Sequence, residues 1–333
     1  VMLAALVPAL LYYFAAWVMV DREARRLKMS GLKANEIPSL KETLTKRGHM
    51  LFPLLIVIGL LLYGITPVYA AFFGIIGTWI FSFIRKETRM SPQEFIAGLK
   101  QGSIGSLSVA AACAVVGIII GVVSLTGLGV SLTSIVLDLS GGFLPVILIL
   151  TMVSCIILGM GLPTTAAYIM GATVAAPILI EAGISNLTAH LFVFYFATLS
   201  TLTPPVAIAA YAAAGIAGAS PSKVGWQGFK LAIAGFIVPF IFVYQPSLLL
   251  SVGNIYDSIH ALVTAVIGIF FISISTIGYY KNELNNLVRM ALFLSGILLV
   301  TSNLVLNVSG VVLGVLILML SKKNIKKIHA TNL

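Results

Sequence analysis

Two short segments of this chain combine helix-breaking residues with hydroxyl side chains. They are residues 159–165 (GMGLPTT) and residues 200–205 (STLTPP). Proline lacks a backbone N–H and clashes with the carbonyl four residues earlier, so each segment is predicted to break a helix. Pro163 is predicted to free the carbonyl of Gly159, and Pro204 with Pro205 to free the carbonyls that precede them. The pattern leaves open whether each break is the tip of a re-entrant hairpin or an unwound spanning helix.

Freed carbonyls beside hydroxyls are ligands that suit a hard cation such as Na⁺. Beyond each break a new helix begins, and its unpaired N–H groups favour an anion. Paired short segments interrupted by Gly and Pro indicate the binding site of a secondary transporter. The residues predicted to bind ion or substrate are Gly159, Gly161, Pro163, Thr164, Thr165, Ser200, Thr201, Thr203, Pro204 and Pro205. The predicted Na⁺ ligands among them are Gly159, Thr164, Ser200 and Thr201.

The breaks are flanked by four apolar runs of about 12 to 16 residues, at 143–158, 165–180, 187–199 and 206–217. A bilayer core about 30 Å thick requires about 20 helical residues, so none of these runs can cross alone. The sequence therefore predicts that they pair within the membrane and present the breaks there.

Composition supports a membrane location for the whole chain. The 333 residues are 59% hydrophobic and 9% charged, with a mean hydropathy of +1.09. Because unpaired backbone groups are costly in hydrocarbon, an all-α polytopic membrane protein is predicted, with the lipid bilayer as its surroundings. The net charge of +10 comes from Lys and Arg in the connections, which is typical of cytoplasmic loops and not of a nucleic-acid partner.

The order of apolar and charged segments predicts five regions. Residues 1–20 form a transmembrane helix, 21–49 a basic cytoplasmic loop, and 50–90 two transmembrane helices. Residues 91–250 form a transport domain with an arm helix, a hairpin and broken helices, and 251–333 add further transmembrane helices and a basic tail. The two cysteines lie in apolar runs and imply no disulfide and no cysteine-based metal site, and no cofactor is expected besides the coupling ion.

Two other classes of membrane protein remain alternatives. A membrane-embedded enzyme requires clustered Asp, Glu or His, which the apolar segments lack. A channel requires polar stripes along long helices or a filter motif. The hydroxyl-rich breaks favour a carrier over both, and no catalytic residue is predicted.

Three stretches carry a family resemblance: GMGLPTTAAYI (159–169), LFVFYFATLSTLTPPVAIAAYAAAGIAG (191–218) and GFIVPFIFVY (235–244). They resemble the large membrane subunit of the tripartite ATP-independent periplasmic (TRAP) transporters. The closest variety is the fused permease that works with TAXI-type binding proteins. The resemblance covers residues 1 to about 250.

The resemblance implies uptake of carboxylates, such as dicarboxylates or glutamate-like compounds, by symport with Na⁺ or H⁺ across the inner membrane. It implies an extracytoplasmic solute-binding protein as partner, and an elevator architecture with hairpins and broken helices from two inverted repeats. The family's ion sites correspond to residues 159–165 and 200–205. Only one repeat is largely present here, so we expect the small membrane subunit and most of the first repeat to be missing before Val1.

Overall fold

Helices make up most of the part of the chain that the structure describes. The computed structural model describes residues 1–31, 37, 39–250 and 253–330. Its α-helices are α1 (Met2–Arg26), α2 (Leu40–Arg47), α3 (Phe52–Leu62), α4 (Pro67–Ser82), α5 (Pro92–Thr126), α6 (Leu128–Ser140), α7 (Leu144–Gly159), α8 (Thr164–Val174), α9 (Ala176–Glu181), α10 (Asn186–Leu199), α11 (Ile208–Ala217), α12 (Pro221–Phe236), α13 (Val238–Tyr244), α14 (Ile255–Ile277), α15 (Asn286–Leu298) and α16 (Leu304–Ala330).

These helices confirm the predicted all-α membrane fold. Within the described residues, four helical segments are long and apolar enough to cross a bilayer: Met2–Arg26, Leu40–Leu62, Pro221–Tyr244 and Ile255–Ile277. The helices group into two compact units, one of residues 30–110 and one of residues 1–29 with 111 onward. α5 begins in the first of these units and ends in the second.

The first helix runs to Arg26 instead of ending near residue 20. Its charged residues find partners without leaving the helix: Asp21 Oδ1 lies 2.9 Å from Arg25 Nε, one turn later. Glu23 is buried, and its carboxylate accepts a hydrogen bond from Gln227 Nε2 of α12 at 3.2 Å and lies 3.5 Å from Lys230 Nζ. The helix therefore continues into the predicted basic loop.

The smaller unit contains an apolar helical hairpin. α3 and α4 are joined by a turn at Gly64, whose φ of +93° is a conformation that glycine adopts easily. A Cβ built on Gly74 would overlap the side chain of Val57, so the close packing of the two helices requires glycine there. Part of the predicted loop 21–49 is the helix α2, and residues 32–36 and 38 lie outside the described residues.

The core of the larger unit is centred on α10. Phe192 and Phe196 are fully buried, with ring centroids 4.8 Å apart. Phe240 of α13 lies 5.6 Å from the Phe192 ring, and Phe236 of α12 lies 5.9 Å from the Phe196 ring. These edge-on and tilted contacts hold α10 against its neighbours and fix the position of the chain break at its end.

The helices after residue 250 belong to the same unit, and a side chain at the end of α13 bonds to their main-chain carbonyls. Gln245 Nε2, at the end of α13, lies 3.2, 3.1 and 2.8 Å from the carbonyls of Leu299, Val300 and Thr301 in the turn after α15. The predicted C-terminal helices are present, while the side chains of the predicted basic tail lie outside the described part.

Gly171 provides a test of how α8 packs against α10. A Cβ built on Gly171 would lie 2.7 Å from Val193 Cγ1 of α10. We expect Gly171→Ala to destabilise the protein by about 1–3 kcal/mol through overpacking, measured as a lower midpoint of thermal unfolding in detergent. The control is Gly117→Ala in α5, where a Cβ meets nothing within 4 Å. Equal midpoints for the two variants would contradict the packing described here.

Candidate functional site

The first break is the tip of an antiparallel helical hairpin. α7 ends at Gly159 and α8 begins at Thr164. A Cβ built on Gly159 would lie 3.3 Å from Ala167 Cβ, and one built on Gly171 would lie 3.9 Å from Cys155 Sγ. Because positions further from the tip on α7 face positions further along α8, the chain turns back on itself. This answers the question that the sequence left open for residues 159–165.

The turn at the tip is built by Gly161 and Pro163. Gly161 has a φ of +80°, which disfavours other residues. Pro163 precedes α8 and its carbonyl accepts the first helical bond, from Ala167 N at 3.0 Å. The N–H groups of Thr164, Thr165 and Ala166 therefore have no partner within the helix. They form the positive end of α8, which favours an anion.

The second break lies between α10, the central helix of the core, and α11. α10 ends at Leu199, residues Ser200–Leu202 form a short 3₁₀ turn, and α11 begins at Ile208. Ala207, just before α11, has a φ of +36°, an unusual conformation for a residue with a side chain. After the break the chain forms α11 and then α12, and these two helices pack against each other. Among the described residues α11 packs on α12 and on the 3₁₀ turn but not extensively on α10, so α10 and α11 do not form a hairpin like that of α7 and α8.

The two breaks lie directly against each other. A Cβ built on Gly159 would lie 2.6 Å from Ser200 Oγ and 3.0 Å from Ser200 Cβ. One built on Gly161 would lie 3.8 Å from Val206 Cγ1. Segments about 40 residues apart in sequence are thus brought into contact, and the glycine at 159 is what permits it.

The carbonyls at the breaks are partly satisfied, which corrects the prediction that they are left free. The Gly159 carbonyl accepts a hydrogen bond from Leu162 N at 3.2 Å, and the Ser200 carbonyl accepts one from Thr203 N at 3.2 Å. Both helices stop before the prolines, so the freed groups close tight turns instead. A carbonyl has two lone pairs, and each of these oxygens retains acceptor capacity for a cation.

The hydroxyls of the second break all donate back to α10. Ser200 Oγ donates to the Ala197 carbonyl at 2.7 Å, and Thr203 Oγ1 donates to the Leu199 carbonyl at 2.9 Å. Both side chains are buried. A hydroxyl that has given its hydrogen to a carbonyl presents only lone pairs to its other side. Ser200 and Thr203 therefore keep acceptor lone pairs on their hydroxyl oxygens.

The remaining predicted residues are distributed around this contact. Thr201 lines a separate cavity of ≈ 290 Å³ between α1 and α10, together with Tyr12 and Tyr195. The predicted Na⁺ set is therefore divided, because Ser200 faces Gly159 while Thr201 faces α1. Thr164 and Thr165 lie at the start of α8, half-buried and exposed respectively.

Pro204 and Pro205 line a second cavity of ≈ 310 Å³ with Tyr211 and Trp226. The Tyr211 hydroxyl donates to the Pro205 carbonyl at 2.6 Å. Trp226 belongs to α12, and nothing in the local sequence signals that it would lie beside the break. Tyr211 and Trp226 thus lie beside the second break, and the pattern of glycines and prolines did not indicate either of them.

Comparison with known proteins identifies the family. The family model described as "Tripartite ATP-independent periplasmic transporter, DctM component" matches residues 1–254. The chain belongs to the DctM family. The prediction from the motifs that the chain is a large membrane component of a TRAP transporter is thereby confirmed. The family and the apolar helices together indicate a multi-pass protein of the inner membrane. The comparisons with curated proteins and with solved structures found no match.

Contact between the breaks of this DctM protein can be tested by cross-linking. We expect cysteines at 159 and 200 (Gly159→Cys, Ser200→Cys) to form a disulfide on mild oxidation, because their Cβ atoms would lie 3.0 Å apart and need move only about half an ångström. Cys113 and Cys155 are first replaced by alanine. A protease site inserted at residues 182–185 then yields fragments that stay joined until reduced.

The control pair is Gly117→Cys with Ser200→Cys, since position 117 has no neighbour within 4 Å. If the 159–200 pair cross-links no better than this control, the two breaks do not lie together in the protein.

Proposed function

We propose that this chain is the permease subunit of a TRAP transporter that imports small carboxylates by Na⁺ symport. The observation that supports this most directly is the contact of Gly159 with Ser200, which joins a hairpin tip to an interrupted helix. Such a junction combines main-chain oxygens, hydroxyls and a helix N-terminus in one place. Those groups bind a cation and an anion side by side, as coupled transport requires.

Na⁺ fits the groups at the breaks better than H⁺. Residues 159–165 and 200–205 contain no titratable side chain, so a transported proton would have no group to occupy. The oxygens of Gly159, Ser200 and Thr203 are hard donors of the kind that Na⁺ takes. Among the described residues no group of three or more His, Cys, Asp or Glu could hold a metal ion.

A substrate carboxylate is proposed to bind at the start of α8. No Lys or Arg occurs from residue 101 to 222, so the region offers no cationic side chain for the anion. The unpaired N–H groups of Thr164 and Thr165, at the positive end of the helix, supply donors in its place. A bound Na⁺ beside them would reduce the cost of bringing the carboxylate into the membrane.

The proposed transporter works with partners. A TAXI-type extracytoplasmic binding protein delivers the substrate, and a small membrane subunit or an N-terminal half completes the permease. The hairpin and broken helix move together as an elevator, carrying ion and substrate across. Tight packing of the α7–α8 hairpin against α10 supports a rigid-body movement of this kind, since packed elements shift as units.

Replacement of the buried hydroxyl at 203 tests the Na⁺ site. We expect Thr203→Val to raise the Na⁺ concentration for half-maximal uptake about 10- to 150-fold, because a bond to a charged group contributes about 1.5–3 kcal/mol. Thr164→Val, at the start of α8, should weaken Na⁺-dependent uptake as well. The measurement is Na⁺-dependent substrate uptake into vesicles that contain the complete permease and its binding protein.

Thr173→Val is the matched control. The Thr173 hydroxyl donates to the Met170 carbonyl at 2.9 Å, a bond of the same kind within α8 but away from the tip. Its Na⁺ dependence should equal that of the unmodified protein. A normal Na⁺ dependence in Thr203→Val and Thr164→Val, with both proteins correctly inserted, would refute the proposed site.

A further inference from the structure

A cavity in the C-terminal helices places one cationic side chain at the edge of an apolar surface. It has a volume of ≈ 540 Å³ and lies between the end of α14 and the first half of α15. Arg289, Asn286 and Thr276 line its polar part. These residues lie beyond the matched region 1–254, so the family assignment does not account for them.

The Arg289 guanidinium is held in a fixed position. Its Nε donates to the Ser275 carbonyl at 2.9 Å and its Nη2 to the Thr276 carbonyl at 3.1 Å, both at the C-terminal end of α14. Ser275 Oγ in turn donates to the Arg289 carbonyl at 2.7 Å. A Cβ built on Gly278 would lie 3.0 Å from Arg289 Nε, so the side chain passes closely over a glycine. The site is therefore organised before any ligand arrives.

The partners that the structure shows for the Arg289 guanidinium are carbonyls and not carboxylates. Within the part of the chain that the structure describes, Arg289 forms no ion pair with a carboxylate, Glu283 of the preceding loop included. A guanidinium has five N–H donors, and the two bonds to α14 use two of them. Three donors in a planar fork remain, the arrangement that binds a phosphate with two parallel hydrogen bonds.

The rest of the cavity suits a hydrocarbon chain. Met290, Phe293 and Leu294 line it, and all three side chains are exposed. A free phosphate ion would make no use of this surface. A phospholipid would, because its acyl chain can lie along the apolar residues while its phosphodiester contacts the guanidinium.

The cavity also lies at the basic end of the unit. Arg26 Nη1 donates to the Ile277 carbonyl at 3.3 Å and Arg22 Nη1 to the Tyr280 carbonyl at 3.1 Å, both just after or at the end of α14. An excess of Lys and Arg marks the cytoplasmic face, whose leaflet carries anionic lipids. We propose that the cavity binds an anionic phospholipid, with its phosphodiester on Arg289 and an acyl chain along Met290, Phe293 and Leu294.

Lipid retention by the full chain tests this proposal. The purified protein in detergent is incubated with phosphatidylglycerol, with phosphatidylcholine of the same acyl chains, or with inorganic phosphate, and bound molecules are counted by native mass spectrometry. Phosphatidylglycerol should be retained about 10-fold more strongly than phosphatidylcholine, and phosphate should not be retained. Equal retention of the two lipids, or retention of phosphate alone, would overturn the proposal.

Two variants locate the site. Asn286→Asp places a carboxylate in the cavity without touching the Arg289 bonds to α14, and an acidic residue in the first turn of α15 suits the helix dipole. Arg289→Gln removes the cation. Each should reduce phosphatidylglycerol retention about 10-fold, whereas Arg289→Lys should keep a preference for it over phosphatidylcholine.

Lys223→Gln in α12 is the charge-matched control, since it changes the net charge by the same amount at an exposed position outside the cavity. It should leave lipid retention unchanged. If Arg289 only caps α14, Asn286→Asp will retain phosphatidylglycerol as the unmodified protein does, and the lipid site is then excluded.

Discussion

The candidate site depends on one steric constraint, the absence of a side chain at position 159. Gly159 ends α7 where Ser200 continues from α10, and a Cβ on the glycine would fall 2.6 Å from the serine hydroxyl. Without that contact, the hairpin tip and the interrupted helix would each lose the neighbour that covers them. Their contact brings the polar groups of both breaks together, which is the basis of the proposed ion site.

The positions of the breaks could be predicted because their causes are local. Proline has no backbone N–H and clashes with the carbonyl four residues earlier. A helix that approaches Pro163 or Pro204 therefore ends before the proline. Three of the four short runs accordingly begin and end within about two residues of the predicted bounds, while the run 165–180 is divided into α8 and α9. The extension of α1 to Arg26, beyond the predicted transmembrane segment 1–20, has a cause that is not local. Glu23 stays in the helix because Gln227 and Lys230 meet it from α12, far away in the sequence.

The separation of Ser200 from Thr201 could not be predicted from residue types. Both are hydroxyl residues, adjacent, and both lie in the turn Ser200–Leu202. In a 3₁₀ turn, consecutive side chains point about 120° apart. Ser200 consequently faces the hairpin tip while Thr201 faces the cavity beside α1. A motif supplies candidate ligands, but the local helix geometry decides which of them share a site.

The C-terminal helices are attached by bonds to their main chain, and this frees their side chains for other uses. Gln245 contacts three consecutive carbonyls of the turn after α15, and Arg22 and Arg26 each donate to a carbonyl near the end of α14. Because these bonds are made to main-chain carbonyls, they do not depend on which side chains those turns carry. Arg289 can therefore point into its cavity without weakening this attachment. Bonds to main-chain carbonyls thus join the C-terminal helices to the region 1–254 that matches the DctM family.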